Sequence, residues 1–117
     1  MTEAFMVYTS FANETDAERV TRVLLEERLI ACANLIPGAR SLYRWNNEIK
    51  DEHEVVVIMK TRKQDWTVLL SRLHELHPYE TPECVAVRIA AGAPKYMEWL
   101  DAALAYESEP DPGTGGA

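Results

Sequence analysis

The stretch from Ile30 to Trp45 (IACANLIPGARSLYRW) constrains this chain most: it is apolar and long, yet has no helical period. Pro37-Gly38 sits at its centre, where a helix would break but an extended strand can bulge or bend. A strand of this length needs neighbours. Glu54 to Arg62 (EVVVIMKTR) is the clearest of them, with a β-branched centre suited to the middle of a sheet. Asn46-Asn47 and the following Glu48-Ile49-Lys50 read as the turn between the two.

The flanking segments complete the pattern. Residues 4–10 (AFMVYTS) read as a buried strand. Asn13 and Thr15 then offer helix caps, and Thr15-x-x-Glu18 matches a capping box. Ala17, Val20, Val23 and Leu24 keep the spacing of one buried helix face. A second helix should run from about Gln64, with Trp66, Leu69, Leu70, Leu73 and Leu76 inward, and end near His77 because Pro78 disfavours helical geometry before it. Cys84 to Ala90 reads as the last strand. Pro94 opens a closing helix striped by Tyr96, Met97, Leu100 and Leu104.

Strand, helix, strand, strand, helix, strand is the split βαβ order of an α+β, ferredoxin-like fold, with an antiparallel sheet ordered 4-1-3-2 and an additional C-terminal helix. Its second and fourth strands are opposite edges, roughly 14 Å apart. Cys32 and Cys84 belong to those edges, beyond the ~7 Å reach of a disulfide, so no bridge within the chain is expected. The Ile30–Trp45 edge is an aggregation hazard unless covered, and oligomerisation through it is the economical remedy.

At 117 residues the chain suits one domain over 1–106, and the tail 107–117 (ESEPDPGTGGA) has no core-forming residue and is expected to be disordered. A net charge of −7 argues against nucleic acid as a partner. The apolar runs are too short for membrane insertion, and nothing near Met1 resembles a targeting signal, so a cytoplasmic location is expected. There is no Gly-rich phosphate loop or Ser-His-Asp pattern, and no catalytic residue is assigned.

Three stretches carry a resemblance: Glu27-Arg28-Leu29-Ile30-Ala31-Cys32-Ala33-Asn34 running into Ser41-Leu42-Tyr43-Arg44-Trp45; Met59-Lys60-Thr61; and His77-Pro78-Tyr79-Glu80-Thr81-Pro82-Glu83. Tyr96-Met97-Glu98-Trp99-Leu100 agrees as well. Over about residues 4–104 the chain resembles the CutA divalent-cation tolerance family. That resemblance implies a non-enzymatic homotrimer with paired edge strands, a response to copper and other divalent metal ions, and copper(II) binding between subunits. It also implies a trimer shaped like PII signalling proteins.

His77 is the best candidate ligand, since a neutral imidazole suits copper(II) and it stands beside Tyr79, Glu80 and Glu83. His74, three residues earlier, could share its face. Cys32 could capture a soft metal or simply pack as a small hydrophobe. The candidate metal set is therefore His77, Cys32, Glu83 and His74. Some family members carry a cysteine in the first strand and paired histidines before the Pro-Tyr step, where this chain has Thr9 and Leu76-His77. Trp45, Tyr43, Lys60, Tyr79 and Glu80 match recurring positions that line either a ligand cleft between subunits or an interface core. Asp51-Glu52-His53-Glu54 reads as a solvated hairpin, because adjacent strand residues alternate faces. Two other functions remain open: a trimer sensing a small anion through Lys60 and Arg88, and a scaffold for another protein.

Overall fold

The computed structural model describes residues 3–105. Its elements are β1 (Ala4–Phe11), α1 (Glu14–Glu26), β2 (Cys32–Trp45), β3 (Glu48–Arg62), a short 3-10 turn (Lys63–Asp65), α2 (Trp66–Leu76), β4 (Val85–Arg88) and α3 (Pro94–Leu104). The four strands form one antiparallel sheet ordered β2-β3-β1-β4, which is the expected 4-1-3-2 arrangement read from its other edge.

Alternation along the strands separates two faces. Val7 and Phe11 of β1 and Val55, Val57 and Met59 of β3 point toward α1 and α2, where they meet Ala17, Val20, Leu24, Leu69 and Leu73 in the main core. Phe5 and Trp66 add an edge-on ring contact at 6.2 Å. Burying each such side chain contributes about 1.5–3 kcal/mol. Among the described residues the opposite face receives only α3, whose Leu100 and Leu104 pack with Ala4 into a second, smaller cluster. The rest of that face is open: Met6, Ile36, Val85 and Val87 are 38–62% exposed.

Helix ends explain the local chain path. Asn13, not Thr15, caps α1, its side-chain oxygen accepting from the Asp16 amide at 2.8 Å, so the expected Thr15–Glu18 box lies within the first turn. At the other end Arg28 takes a left-handed conformation (φ 59). The Leu29 and Arg28 amides donate back to the Leu24 and Leu25 carbonyls, which closes the helix and turns the chain into β2. The Arg28 and Arg62 guanidiniums then donate to the carbonyls of Ala103 and Leu104, anchoring the last turn of α3.

Four sequence expectations need correction. Glu48-Ile49-Lys50 belongs to β3, and the turn is Asn46-Asn47 alone, both residues at positive φ as a two-residue hairpin demands. β4 is four residues, so Cys84 lies just before it. The second helix proper begins at Trp66, after the 3-10 turn that contains Gln64. Leu70 and Tyr96 are each 39% exposed, because both lie at the margin of their helix's apolar stripe.

The bulge expected at Pro37-Gly38 is present. Ile36 pairs with Val56 and Ala39 with Glu54, which leaves one extra residue on β2, and Gly38 sits at φ 81 where a side chain would be strained. Beyond it the β2–β3 hairpin continues to Trp45 and Glu48 as a projecting arm.

Candidate functional site

The arm, the open sheet face and the α2–β4 loop enclose a groove of about 930 Å³. Both parities of the arm line it, Arg40, Leu42 and His53 from one and Ser41, Tyr43, Trp45, Glu52 and Glu54 from the other. Before the bulge Asn34 and Ile36 share the open face; after it Ser41 and Tyr43 do, opposite Glu52 and Lys50. Tyr8 and Ser10 form part of the floor, while Tyr79, Glu80, Thr81 and Glu83 come from the loop.

A hydrogen-bond network holds the walls. The Tyr43 hydroxyl donates to Glu52 at 2.7 Å, the Tyr79 hydroxyl to Glu54 at 2.6 Å, and the Ser41 hydroxyl to the same carboxylate at 2.7 Å. The Glu52 bond raises the Tyr43 phenol above its ordinary value, and burial, reinforced by Glu54, does so more strongly for Tyr79. Both phenols therefore remain neutral donors. Arg40 lies at the rim, its guanidinium forked onto Asp51 at 2.8 and 2.6 Å, which lowers the carboxyl's proton affinity.

His77 stands behind this wall and is 6% exposed. Its ring stacks on Phe11 at 4.2 Å. Nδ1 accepts the Tyr79 amide at 3.1 Å, and Nε2 is 2.7 Å from the Ser10 carbonyl, to which it can only donate. The geometry assigns a neutral imidazole with its proton on Nε2. Burial agrees, holding its pKa below the ordinary value against the opposing pull of the Ser10 carbonyl. Neither nitrogen has a free lone pair for a metal, and the ring's structural task is to position Tyr79.

The expected metal set does not converge within one chain. His74 is exposed on α2, and Glu83 lines the groove. Cys32 is at the far end of β2, its sulfur 3.4 Å from the Tyr96 hydroxyl. Among the described residues no group of three or more His, Cys, Asp or Glu side chains is placed to hold an ion. Thr9 is fully buried, its hydroxyl without a hydrogen-bond partner. Both cysteines are free, and burial pushes the Cys84 thiol up to about 11, which keeps it protonated.

Of the expected cleft residues, Tyr43, Trp45, Tyr79 and Glu80 do meet in the groove. Lys60 does not: it pairs with Cys32 across the ladder and lies 5.6 Å over the Tyr96 ring. Arg88 is also elsewhere, against Glu3 at 3.3 Å. Two of the groove's carboxylates, Glu52 and Glu54, escaped the sequence reading, which set aside Asp51-Glu52-His53-Glu54. The available signal was the spacing of Glu52 and Glu54, two residues apart and therefore on one face.

The family profile of the CutA1 divalent ion tolerance protein matches residues 5–103. The chain belongs to that CutA1 family. The divalent-cation tolerance protein CutA of Pyrococcus horikoshii is 42% identical over 95 residues, which cover 81% of this chain and 92% of that one. The crystal structure of CutA1 from Ehrlichia chaffeensis superimposes with a TM-score of 0.86 at 30% identity, covering 91% of this chain and 99% of its own. The CutA of Archaeoglobus fulgidus, described as a periplasmic divalent cation tolerance protein, has a TM-score of 0.84 at 28% identity over 87% of this chain and 99% of that one. The match spans both the CutA1 core and the arm that shapes the groove.

Proposed function

We propose that this CutA1 chain acts in divalent-cation tolerance as a non-enzymatic homotrimer, with copper(II) or another divalent ion taken up only between subunits. The observation that carries the assembly is the open sheet face: Met6, Ile36, Val85 and Val87 are exposed on it, and both β2 and β4 are unpaired edges. Apolar side chains beside free strand edges favour pairing with another copy. Closure into a ring removes every exposed edge, whereas open-ended pairing would give fibres.

Among the described residues no ion site is complete within one chain, so in this reading a neighbouring subunit supplies some of the ligands. Exposed His74, Glu80 and Glu83 are available for that role, while His77 serves by holding the loop that carries the two glutamates. Two free thiols suit a reducing compartment, and a cytoplasmic location belongs to this reading.

Native mass spectrometry with one equivalent of copper(II) per chain tests both parts. The expected result is an assembly of three times the 13.3 kDa chain that takes up copper stoichiometrically and loses it in His74→Ala. A single-chain mass overturns the assembly. A trimer with scattered adducts, unchanged in His74→Ala and Glu83→Gln, overturns the metal role.

A further inference from the structure

We infer that His77 is an acid-operated latch on the α2–β4 loop: by taking up a proton at Nδ1 it lets go of the Tyr79 amide and loosens residues 78–83. The loop has few other ties. Pro78 and Pro82 have no N–H to give, and among the described residues 78–83 enter no backbone–backbone hydrogen bond. The polar ties described for this segment both pass through Tyr79, whose amide donates to His77 Nδ1 at 3.1 Å and whose hydroxyl donates to Glu54 at 2.6 Å.

The ring can hold the amide only while neutral. Nε2, 2.7 Å from the Ser10 carbonyl, must donate, which leaves Nδ1 as the one acceptor on the ring. In the cation both nitrogens carry protons, so Nδ1–H and the Tyr79 N–H become two donors facing each other. The Ser10 bond survives and gains from the charge, and stacking on Phe11 at 4.2 Å keeps the ring in place. The change therefore falls on the loop, which is left with the Tyr79–Glu54 bond alone. Phe11 and Tyr79 of the same chain cover the ring, so the latch does not depend on what covers the sheet face in an assembly.

The surrounding charges set the sense of the switch. From α1, Asp16 favours protonation and Arg19 opposes it, and the two are paired with each other at 3.4 Å. From β3, Glu54 favours it, while β1 presents Ser10 and Phe11, which do not titrate. On its own helix His74 is exposed, and in the loop the Tyr79 phenol stays neutral. Burial outweighs the favourable charges, so the latch is closed at neutral pH and opens only as pH falls below 6.5. Since the loop is one wall of the groove, acid loosens that wall while the sheet stays folded.

Nuclear magnetic resonance on the full chain, from pH 7.5 down to the acid limit of the folded state, tests this. The carbon shift of the His77 ring reports its protonation. Hydrogen exchange of the Tyr79 amide, divided by the intrinsic rate at each pH, reports the latch. Tyr79 protection should be constant above pH 6.5 and then fall about tenfold in step with the His77 ring, not with His53 or His74, while Val7 and Val57 keep theirs. His77→Gln should abolish the step. Constant Tyr79 protection while the ring titrates overturns the inference, as does a step that survives His77→Gln. A ring that stays neutral until Val7 and Val57 also lose protection overturns it too, because the event is then global unfolding. Should His77→Gln fail to fold, the ring and amide curves of the unaltered chain decide alone.

Discussion

The two faces of the sheet are built from the same strands, residue by residue in alternation, and they end in opposite states. On the helix side Val7, Val57, Leu24, Leu69 and Leu73 are at most 1% exposed. On the other side Met6, Val85 and Val87, drawn from the same or neighbouring strands, remain 38–62% exposed although they are equally apolar. A strand that faces solvent on one side normally alternates apolar with polar residues. Here both parities are apolar, so the sequence provides for two coverings, and the chain's own helices supply only one of them in full.

The sharpest way to test that contrast is to damage each face in turn. Leu73→Ala, on the covered face, should lower unfolding free energy by about 2–5 kcal/mol in urea titrations. A loss below about 1 kcal/mol would mean that the helix-side packing is looser than its burial indicates. Val87→Lys, on the open face, should change single-chain stability by only about 0.5 kcal/mol. Its effect should instead appear in assembly, as a fall to the single-chain mass in native spectra. An unchanged assembly in Val87→Lys would break the comparison.

Thr9 tests whether the covered face is fully apolar in its demands. Its buried hydroxyl has no partner, and such a group costs about 1–3 kcal/mol. Thr9→Val should therefore raise stability, by about 1 kcal/mol after allowance for imperfect packing, as read from the urea midpoint. No gain or a loss would mean that the hydroxyl is satisfied by a buried water.

The smallest effect is in pH. Because burial depresses the folded pKa of His77, the unfolded chain takes up its proton first as pH falls below the ordinary value of 6.5. Its contribution is thus fully present above about pH 6.5 and is lost on acidification toward the folded pKa. His77→Gln should remove that part of the pH slope in denaturation midpoints. A slope unchanged in the variant would assign it to other groups.

Much of the fold was legible because period and punctuation agree. The bulge at Pro37-Gly38, the end of α2 before Pro78 and the opening of α3 at Pro94 all follow from backbone restrictions that act locally. The charged run Glu48 to His53 hid the first part of β3, since an exposed hairpin arm carries no burial pattern to read. The site was legible only in part. Aromatic Tyr43, Trp45 and Tyr79 pointed to the groove, but the state of His77 depends on Ser10 and Phe11, contacts made across the fold that no local spacing announces. Lys60 was grouped with the cleft by its place in the sequence, whereas register puts it beside Cys32 at the other end of the sheet.

The extra residue at the bulge gives the arm a phase. Even-numbered positions of β2 face the open side up to Ile36, and odd-numbered ones do so from Ala39 onward. Deleting one residue there would restore plain alternation opposite Val56, Val55 and Glu54 and leave Tyr43 and Trp45 on the open face, but it would remove the local bend and extra twist that aim the arm. The shape of the groove is thus written in a residue count as well as in residue identity, because the one extra residue sets the direction in which an otherwise unchanged arm projects.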